Sequence, residues 1–272
     1  MESKGLQSGL GNENFITGIF NYCDRWCERC TLTSRCMTFA VERRHRDGEE
    51  IDEVMNELFW NELGRCTEST QLNQSTEDFN IGFDFDIDDE DDDSMGGVFG
   101  GPDFIEEMEK QQIEKHPCII GGSLYFELVH AWLQNAHHLA AMTDDQFMRR
   151  TEFGTQSAGS APSATVIRDM VEVISYYHLS VFAKLRRAVH GKELDEMIDD
   201  EYPSDADGSA KVALMGIDRS SAAWMTLQRL VPEQETAAVR ALLMLSKLRT
   251  VTERSFPTAR LFVRPGFDDE SA

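Results

Sequence analysis

Cations are scarce in this chain of 272 residues. Lys and Arg number 26 against 49 Asp and Glu, which gives a formal net charge of −23. Nucleic-acid binding depends on cations that neutralise phosphates, and anionic membrane surfaces repel an acidic protein. We therefore expect neither a nucleic acid nor a membrane as partner. A basic protein would be attracted to such a charge.

Long apolar runs are also missing. Met1 to Gly5 lack the apolar stretch of a secretory signal, and no segment reaches the roughly 20 apolar residues of a membrane-spanning helix. We expect a cytoplasmic protein, in which cysteines stay reduced and free to bind metal. The sequence also lacks a nucleotide-binding glycine loop, an internal repeat and a clear strand pattern.

Composition divides the chain into three regions. Residues 1–66 form a cysteine-rich segment with two short helical stretches. Residues 67–103 are acidic and rich in glycine, and eight of the ten residues from Asp84 to Asp93 are acidic. Because like charges repel and few apolar groups are present, we expect a flexible linker there. Residues 104–272 have the pattern of a helical bundle with an apolar tail.

Apolar residues recur at helical spacing through most of the first and third regions. The predicted helices are Met37–Arg46, Glu50–Leu63, Phe104–Lys115, Cys118–Met142, Ala164–His190, Ser209–Val231 and Pro232–Phe256. Four long helices joined by loops predict an all-α fold, with an up-and-down four-helix bundle. Gly191 is expected to end the second long helix, and the tail from Leu261 to Phe267 is expected to pack back on the bundle.

Four cysteines lie within fourteen residues near the N-terminus. They are Cys23, Cys27, Cys30 and Cys36, with the spacing C-x3-C-x2-C-x5-C. A [4Fe–4S] cluster needs four thiolates, one for each iron. A zinc ion usually takes its four ligands as two separate pairs, each with its own tight turn. The uneven spacing favours the cluster and leaves zinc as the alternative cofactor.

The last three cysteines resemble the iron–sulfur loop of endonuclease-III-type DNA glycosylases. Cys27, Cys30 and Cys36 have that family's x2 and x5 spacers, whereas the spacer after Cys23 has three residues here and six in the family. The resemblance covers about fourteen residues. It implies a cluster site and not glycosylase activity, because no helix-hairpin-helix stretch is evident and the charge is unsuited to DNA.

The first three cysteines also match the spacing of radical S-adenosylmethionine enzymes. Those enzymes usually carry an aromatic residue before the third cysteine, where this chain has Arg29, and they need a β/α barrel. A fourth thiolate would also fill the iron that must stay open for the substrate. We therefore expect a structural or electron-carrying centre. Arg25, Arg29 and Arg35 would offset its negative charge, and Tyr22 and Trp26 would shield it from water.

A second, weaker metal site is conceivable in the bundle. Glu127-x-x-His130 is the i, i+3 pair that di-iron bundles use, and His178 lies on an apolar stripe of the next helix. Only one such pair is present, so we expect its polar stripe to face solvent and His178 to be a hydrogen-bonded core residue. Asp218 is expected to meet His178 or Lys184 in a buried network.

The remaining cysteines and one glycine pair have structural interpretations. Cys66 and Cys118 are expected to be packing residues. Gly121 and Gly122, inside a helical run, are expected to permit close helix contact.

Taken together, the cysteine loop and the acidic charge predict an iron–sulfur protein with a possible redox or basic protein partner. Its alternatives are a zinc-stabilised interaction module and a di-metal oxidase or oxygenase using Glu127 and His130.

Overall fold

Helices account for all the regular structure that is described. The computed structural model describes residues 14–43, 52–71, 113–141, 164–197 and 205–268. Every regular element in these stretches is an α-helix or a short 3-10 turn, and none is a strand. The prediction of an all-α fold is therefore confirmed. None of the helices in these stretches combines the length and apolar character needed to cross a membrane.

Residues 113–115 are the described end of one helix, and seven further α-helices have both ends within the described stretches. They are α1 (Met37–Arg43), α2 (Glu53–Gln71), α3 (Pro117–Asn135), α4 (His137–Ala140), α5 (Ala164–Met197), α6 (Asp205–Leu230) and α7 (Glu235–Ser255). Three 3-10 turns precede α1, and two more flank α7. They span Ile19–Asn21, Cys27–Arg29, Thr33–Arg35, Pro232–Gln234 and Ala259–Leu261.

The four long helices of the third region form the core. Helix α5 packs along α6, α6 against α7, α7 against α3, and α3 against α5. The largest side chains fully buried between them are Trp224, Tyr125 and Tyr177. Burying a large apolar side chain stabilises a fold by about 1.5–3 kcal/mol. The four predicted long helices are thus present, and their up-and-down order stays a prediction.

Local capping explains where α3 begins and ends. Pro117 occupies the first turn, where its missing N–H costs nothing. The ring Nδ1 of His116 accepts a hydrogen bond of 3.2 Å from the backbone N–H of Cys118. At Ala136 the backbone leaves the helical region, so the predicted helix Cys118–Met142 is divided there into α3 and α4.

The prediction that Gly191 ends its helix is wrong. Helix α5 continues to Met197. A Cβ added at Gly191 would lie 3.3 Å from the backbone N of Ala206, so the glycine allows α5 and α6 to approach closely. The same role is confirmed for Gly121, where an added Cβ would lie 3.0 Å from Leu248 Cδ1.

The regional boundaries differ slightly from those expected. Helix α2 extends to Gln71, five residues into the region assigned to the linker. The rest of that predicted linker, residues 72–103, lies outside the described residues, as do residues 44–46 of the first predicted helix and most of the predicted Phe104–Lys115 helix.

The C-terminal tail packs back on the molecule through only part of its apolar surface. The Phe262 ring lies 4.6 Å from that of Tyr22, and Lys211 of α6 pairs with Asp268 at 2.7 Å. Leu261 and Val263, in contrast, are well exposed. The tail is therefore fixed by one aromatic contact and by charge.

Replacing Gly208 by alanine tests the contact between α6 and the N-terminal segment. An added Cβ would lie well inside 3.0 Å of the Tyr22 ring and 2.9 Å from Phe262. Alanine would push the Tyr22 and Phe262 rings out of their packed positions, so we expect Gly208→Ala to lower the free energy of unfolding by about 1–3 kcal/mol. Tyr22 directly precedes Cys23, so the cysteine-rich segment would move with it. Urea unfolding followed by circular dichroism measures this change.

The matched control for that substitution is Gly64→Ala on α2. Apart from its chain neighbours and its own helix backbone, no atom lies within 4 Å of a Cβ added there. Alanine is preferred over glycine in helices by about 1 kcal/mol, so this variant is expected to be as stable as the parent or more stable. A Gly208→Ala protein as stable as the Gly64→Ala protein would contradict the packing described.

Candidate metal centre

Two of the four cysteines each end a tight backbone turn. The N–H of Cys30 donates to the carbonyl of Cys27 at 3.2 Å, and the N–H of Cys36 donates to that of Thr33, also at 3.2 Å. Both cysteines then adopt extended backbone angles. All four thiols are partly buried, so the run from Cys23 to Cys36 forms a half-buried loop, called here the cysteine loop.

The spacer between the first two cysteines has an unusual backbone. Arg25 has a φ of 67° and is the one non-glycine residue with positive φ in the described stretches. This left-handed conformation costs roughly 1–2 kcal/mol, so it persists only where neighbouring contacts enforce it. One such contact is the hydrogen bond of 3.2 Å from the backbone N–H of Trp26 to Asp24 Oδ1.

Backbone amides point at two of the sulfur atoms. The N–H of Leu32 donates to Cys30 Sγ at 3.4 Å, and the N–H of Phe39 donates to Cys36 Sγ at 3.5 Å. Hydrogen bonds of this kind favour the charged form of the acceptor. Each of these two amides would therefore stabilise negative charge on its sulfur, for Cys30 against the opposing effect of burial.

The thiols lie close enough to affect one another's ionisation. Burial raises the pKa of Cys27 to about 11, with a contribution from Cys23 and Cys36. Burial also raises the pKa of Cys30 to about 12, with a contribution from Cys23 and Cys27. Without a bound cation these two groups are neutral thiols at pH 7. Metal binding would therefore release their protons.

Lys184 of α5 is a cation close enough to Cys23 to affect the pKa of its thiol, and sequence reasoning did not assign it to the loop. Burial raises the pKa of Cys23, while Lys184 and Arg25 act to lower it. Burial lowers the pKa of Lys184 itself, and Cys23 opposes that shift. A partly buried ammonium group therefore lies near this corner of the loop, where it would offset the charge of a thiolate.

Arg29 pairs with carboxylates of α5 and not with the cysteines. Its guanidinium pairs with Asp169 at 3.2 Å and with Glu172. It also lies over the Phe59 ring, 4.1 Å from the centroid. Of the three arginines expected to offset a cluster's charge, this one therefore ties the loop to α2 and α5.

Helix α2 holds the second half of the loop through the carboxylate of Glu53. The hydroxyl of Thr33 donates to Glu53 Oε1 at 2.5 Å, and the backbone N–H of Ser34 donates to the same oxygen at 2.6 Å. The hydroxyl of Ser34 donates to Glu53 Oε2 at 3.1 Å. The turn that leads to Cys36 is thereby fixed to the start of α2.

The same helix also holds the first turn of the loop. Asn56 Nδ2 donates to the carbonyls of Glu28 and Cys30, at 3.0 and 3.1 Å. One turn further on, Trp60 Nε1 donates to the carbonyl of Arg29 at 2.7 Å. Glu53, Asn56 and Trp60 recur at helical spacing, so one face of α2 contacts the loop.

Asp24 joins the cysteine loop to the core helices. Its Oδ2 accepts hydrogen bonds from the hydroxyl of Tyr177 at 2.5 Å and from the Arg219 guanidinium at 2.6 Å. Its backbone carbonyl accepts a hydrogen bond of 2.6 Å from the hydroxyl of Tyr176. The Arg219 guanidinium also lies 3.8 Å from the centroid of Trp60. Sequence reasoning missed this network.

Trp26 fills the space between the loop and the bundle. The side chain is buried and stacks on Tyr176, with ring centroids 4.2 Å apart. Its edge contacts both Trp60 and Tyr177 at 5.7 Å. Trp26 directly precedes Cys27, and its shielding of a bound cluster from water stays a prediction.

The residues of the weaker bundle site lie apart from the loop. Glu127 and His130 are exposed on α3, so the expectation of a solvent-facing stripe is confirmed for them. The Phe126 ring stacks on His130 and on His178, with centroids 5.8 and 5.0 Å apart. His178 Nδ1 lies 2.5 Å from the carbonyl oxygen of Ser175, and burial lowers the pKa of His178.

The prediction of which residues Asp218 contacts was wrong. Its carboxylate pairs with Arg249 at 2.9 Å and with Arg260 at 2.6 Å, and not with His178 or Lys184. The network around Asp218 is thus an ion-pair cluster between α6, α7 and the tail.

The two cysteines outside the loop do not add to it. Cys118 is fully buried, with its Sγ 3.7 Å from Ser255 Oγ, as expected of a packing residue. The side chain of Cys66 lies outside the described residues.

The cysteine side chains as described do not form a ready-made metal site. Within the described stretches, no group of three or more His, Cys, Asp or Glu side chains is placed so that it could hold a metal ion.

No protein-family model, curated protein or solved structure matches this chain. The resemblance of the cysteine loop to the endonuclease-III-type loop therefore depends on the spacers alone.

Proposed function

We propose that the cysteine loop binds a [4Fe–4S] cluster through Cys23, Cys27, Cys30 and Cys36. The observation that carries this proposal is the presence of four partly buried cysteines within one loop of fourteen residues, with backbone N–H groups that donate to two of the sulfurs. When bound, such a cluster supplies a one-electron redox centre. Four thiolates would occupy all four irons, so we infer a structural or electron-transfer role and no binding of substrate to iron.

The surrounding residues suit an anionic group. The amides of Leu32 and Phe39 would stabilise negative charge on sulfur, and the Lys184 ammonium near Cys23 would offset part of it. Trp26 excludes water from the side of the loop that faces the bundle. Hydrogen bonds to sulfur and limited solvent exposure are the main protein influences on a cluster's potential.

The direct test is metal and sulfide analysis of the full chain purified without oxygen. We expect about four irons and four acid-labile sulfides per chain, with absorbance near ~400 nm that dithionite bleaches. Cys30→Ser is expected to lose more than half of the iron, because it removes a ligand that also accepts a backbone hydrogen bond.

The matched control for the ligand substitution is Cys118→Ser. Cys118 is buried in the bundle, and its loss is expected to leave the iron content unchanged. A colourless protein with one zinc per chain would overturn the cluster proposal. It would assign the loop to a zinc-stabilised interaction module instead.

A further inference from the structure

The C-terminal tail contacts the N-terminal segment at two points. The Phe262 ring lies 4.6 Å from that of Tyr22. Gly266 lies against Ile16, because a Cβ added at this glycine would be 2.6 Å from Ile16 Cδ1. Gly266 also has a φ of 77°, a backbone conformation that other residues adopt only at a cost. Residues 262–268 are called here the terminal latch.

Both contacts lead directly to the cysteine loop. Tyr22 is the residue before Cys23. The backbone N–H of Ile16 donates to the carbonyl of Arg35 at 3.0 Å, and Arg35 is the residue before Cys36. The terminal latch therefore packs on a segment that is joined to both ends of the loop.

Charge holds the terminal latch against α6. Lys211 pairs with Asp268 at 2.7 Å and also donates to the carbonyl of Phe262. The buried Arg264 pairs with the other oxygen of Asp268 at 2.8 Å. Burial acts to raise the pKa of Asp268, but hydrogen bonds from Arg264 and Lys211 lower it well below its usual range. One charged carboxylate at the end of the latch thus pairs with two cations, one of them on α6.

Helix α2, and not the latch, holds the middle of the cysteine loop. Asn56 donates to the carbonyl of Cys30 at 3.1 Å. Cys23 Sγ instead donates to the carbonyl of Phe20 at 3.4 Å, within the segment that the latch contacts. Asp24 limits any movement of that segment, because its carboxylate is hydrogen-bonded to α5 and α6. Release of the segment would therefore free Cys23 and leave Cys30 in place.

We propose that the terminal latch controls exposure of the Cys23 thiol. When closed, the latch packs on residues 16–22 and keeps the thiol partly buried. When open, it releases those residues as far as Asp24 and exposes Cys23 to thiol reagents and to incoming metal. The inference depends on contacts within the chain, so it holds whether the loop binds a cluster, zinc or no metal.

N-ethylmaleimide, whose double bond adds a thiol, is the probe for the latch. The full chain is treated with a chelator and a reductant, desalted without oxygen and labelled at neutral pH. Mass spectrometry of its peptides gives separate labelling rates for Cys23 and Cys30, which are both partly buried. When the latch opens and closes quickly, the Cys23 rate follows the fraction of open molecules.

Two substitutions are expected to open the latch. Asp268→Asn removes the carboxylate that two cations share, and we expect it to raise the Cys23 rate roughly fivefold at low salt. Gly266→Ala adds a Cβ at a crowded position with positive φ, and we expect a rise of about tenfold. The Cys30 rate is expected to change less than about twofold in both variants.

Each substitution has a matched control. Glu114→Gln breaks an ion pair of 2.9 Å with Arg186, which does not involve the latch. Gly121→Ala adds a Cβ 3.0 Å from Leu248 within the bundle. Both controls are expected to leave the Cys23 rate unchanged. Circular dichroism checks that every variant keeps its helices.

A Cys23 rate equal to the parent's in folded Asp268→Asn protein would overturn the proposal. Equal acceleration of Cys23 and Cys30 would also overturn it, because the whole loop would then be opening. If Gly266→Ala does not fold, Asp268→Asn and the salt dependence of the parent decide. High salt screens the ion pairs and is expected to speed labelling of Cys23 in the parent. A chain purified without iron would refute the proposed cluster and leave this test of the latch unchanged.

Discussion

Replacing Trp26 by alanine is expected to lower the free energy of unfolding by about 3–5 kcal/mol, the usual cost of truncating a buried tryptophan. The side chain is 5% exposed and contacts Trp60, Tyr176 and Tyr177. Its loss leaves a cavity at the junction between the cysteine loop and the core helices. Because Trp26 directly precedes Cys27, we also expect the variant to retain less than half of the parent's iron.

Trp132→Ala is the matched control for this prediction. Trp132 lies on α3, where its ring is tilted against that of Trp224 with centroids 4.6 Å apart, and it donates a hydrogen bond of 2.8 Å to Gln234. Its truncation is expected to destabilise the bundle while leaving the iron content unchanged. Urea unfolding and iron analysis of both variants distinguish the two roles. If both variants lost iron equally, the effect would be general unfolding and not undocking of the loop.

Replacing Arg219 by methionine is expected to lower the free energy of unfolding by about 2–3 kcal/mol. Arg219 pairs with Asp24 at 2.6 Å, and the two side chains are 26% and 20% exposed. Removing one partner of a buried pair costs about 3–5 kcal/mol, and the partial exposure here reduces that loss. Hydrogen exchange is expected to become faster in residues 23–36, because Asp24 loses its cation.

The control for Arg219 is another arginine with two carboxylate partners. Arg260 pairs with Asp218 and Glu253 near the surface, where its side chain is 39% exposed. Exposed pairs contribute only about 0.2–1 kcal/mol, so Arg260→Met is expected to change stability little and to leave exchange in the loop unchanged. Equal losses for the two variants would show that Asp24 does not hold the loop to the bundle.

Periodicity predicted the helices better than it predicted their ends. The apolar repeat placed all four long helices, because a face buried against neighbours must recur every three to four residues. The ends were less accurate. Gly191 has the residue type of a helix stop, yet its lack of a Cβ serves the contact with Ala206. Only the position of the neighbouring helix distinguishes these two uses of glycine.

In the cysteine loop, too, the sequence pattern identified the local feature but not its contacts with distant helices. Spacing alone singled out Cys23, Cys27, Cys30 and Cys36 as candidate ligands, because ligands close in sequence can converge without help from the rest of the fold. The groups that hold the loop were not recognisable in this way. Asp24 meets Arg219 across 195 residues of chain, and neither residue belongs to a motif.

The sequence by itself determined the helical class, the acidic charge and the local group of four thiols, since each depends on composition or on residues near one another in the chain. Tertiary structure alone decided that Asp24, Tyr177 and Arg219 meet, that Lys184 comes near enough to Cys23 to affect its pKa, and that α2 holds the loop with one face and exposes the other. Those features depend on how helices far apart in the chain pack, and packing is governed by the shape and charge of both partners at once.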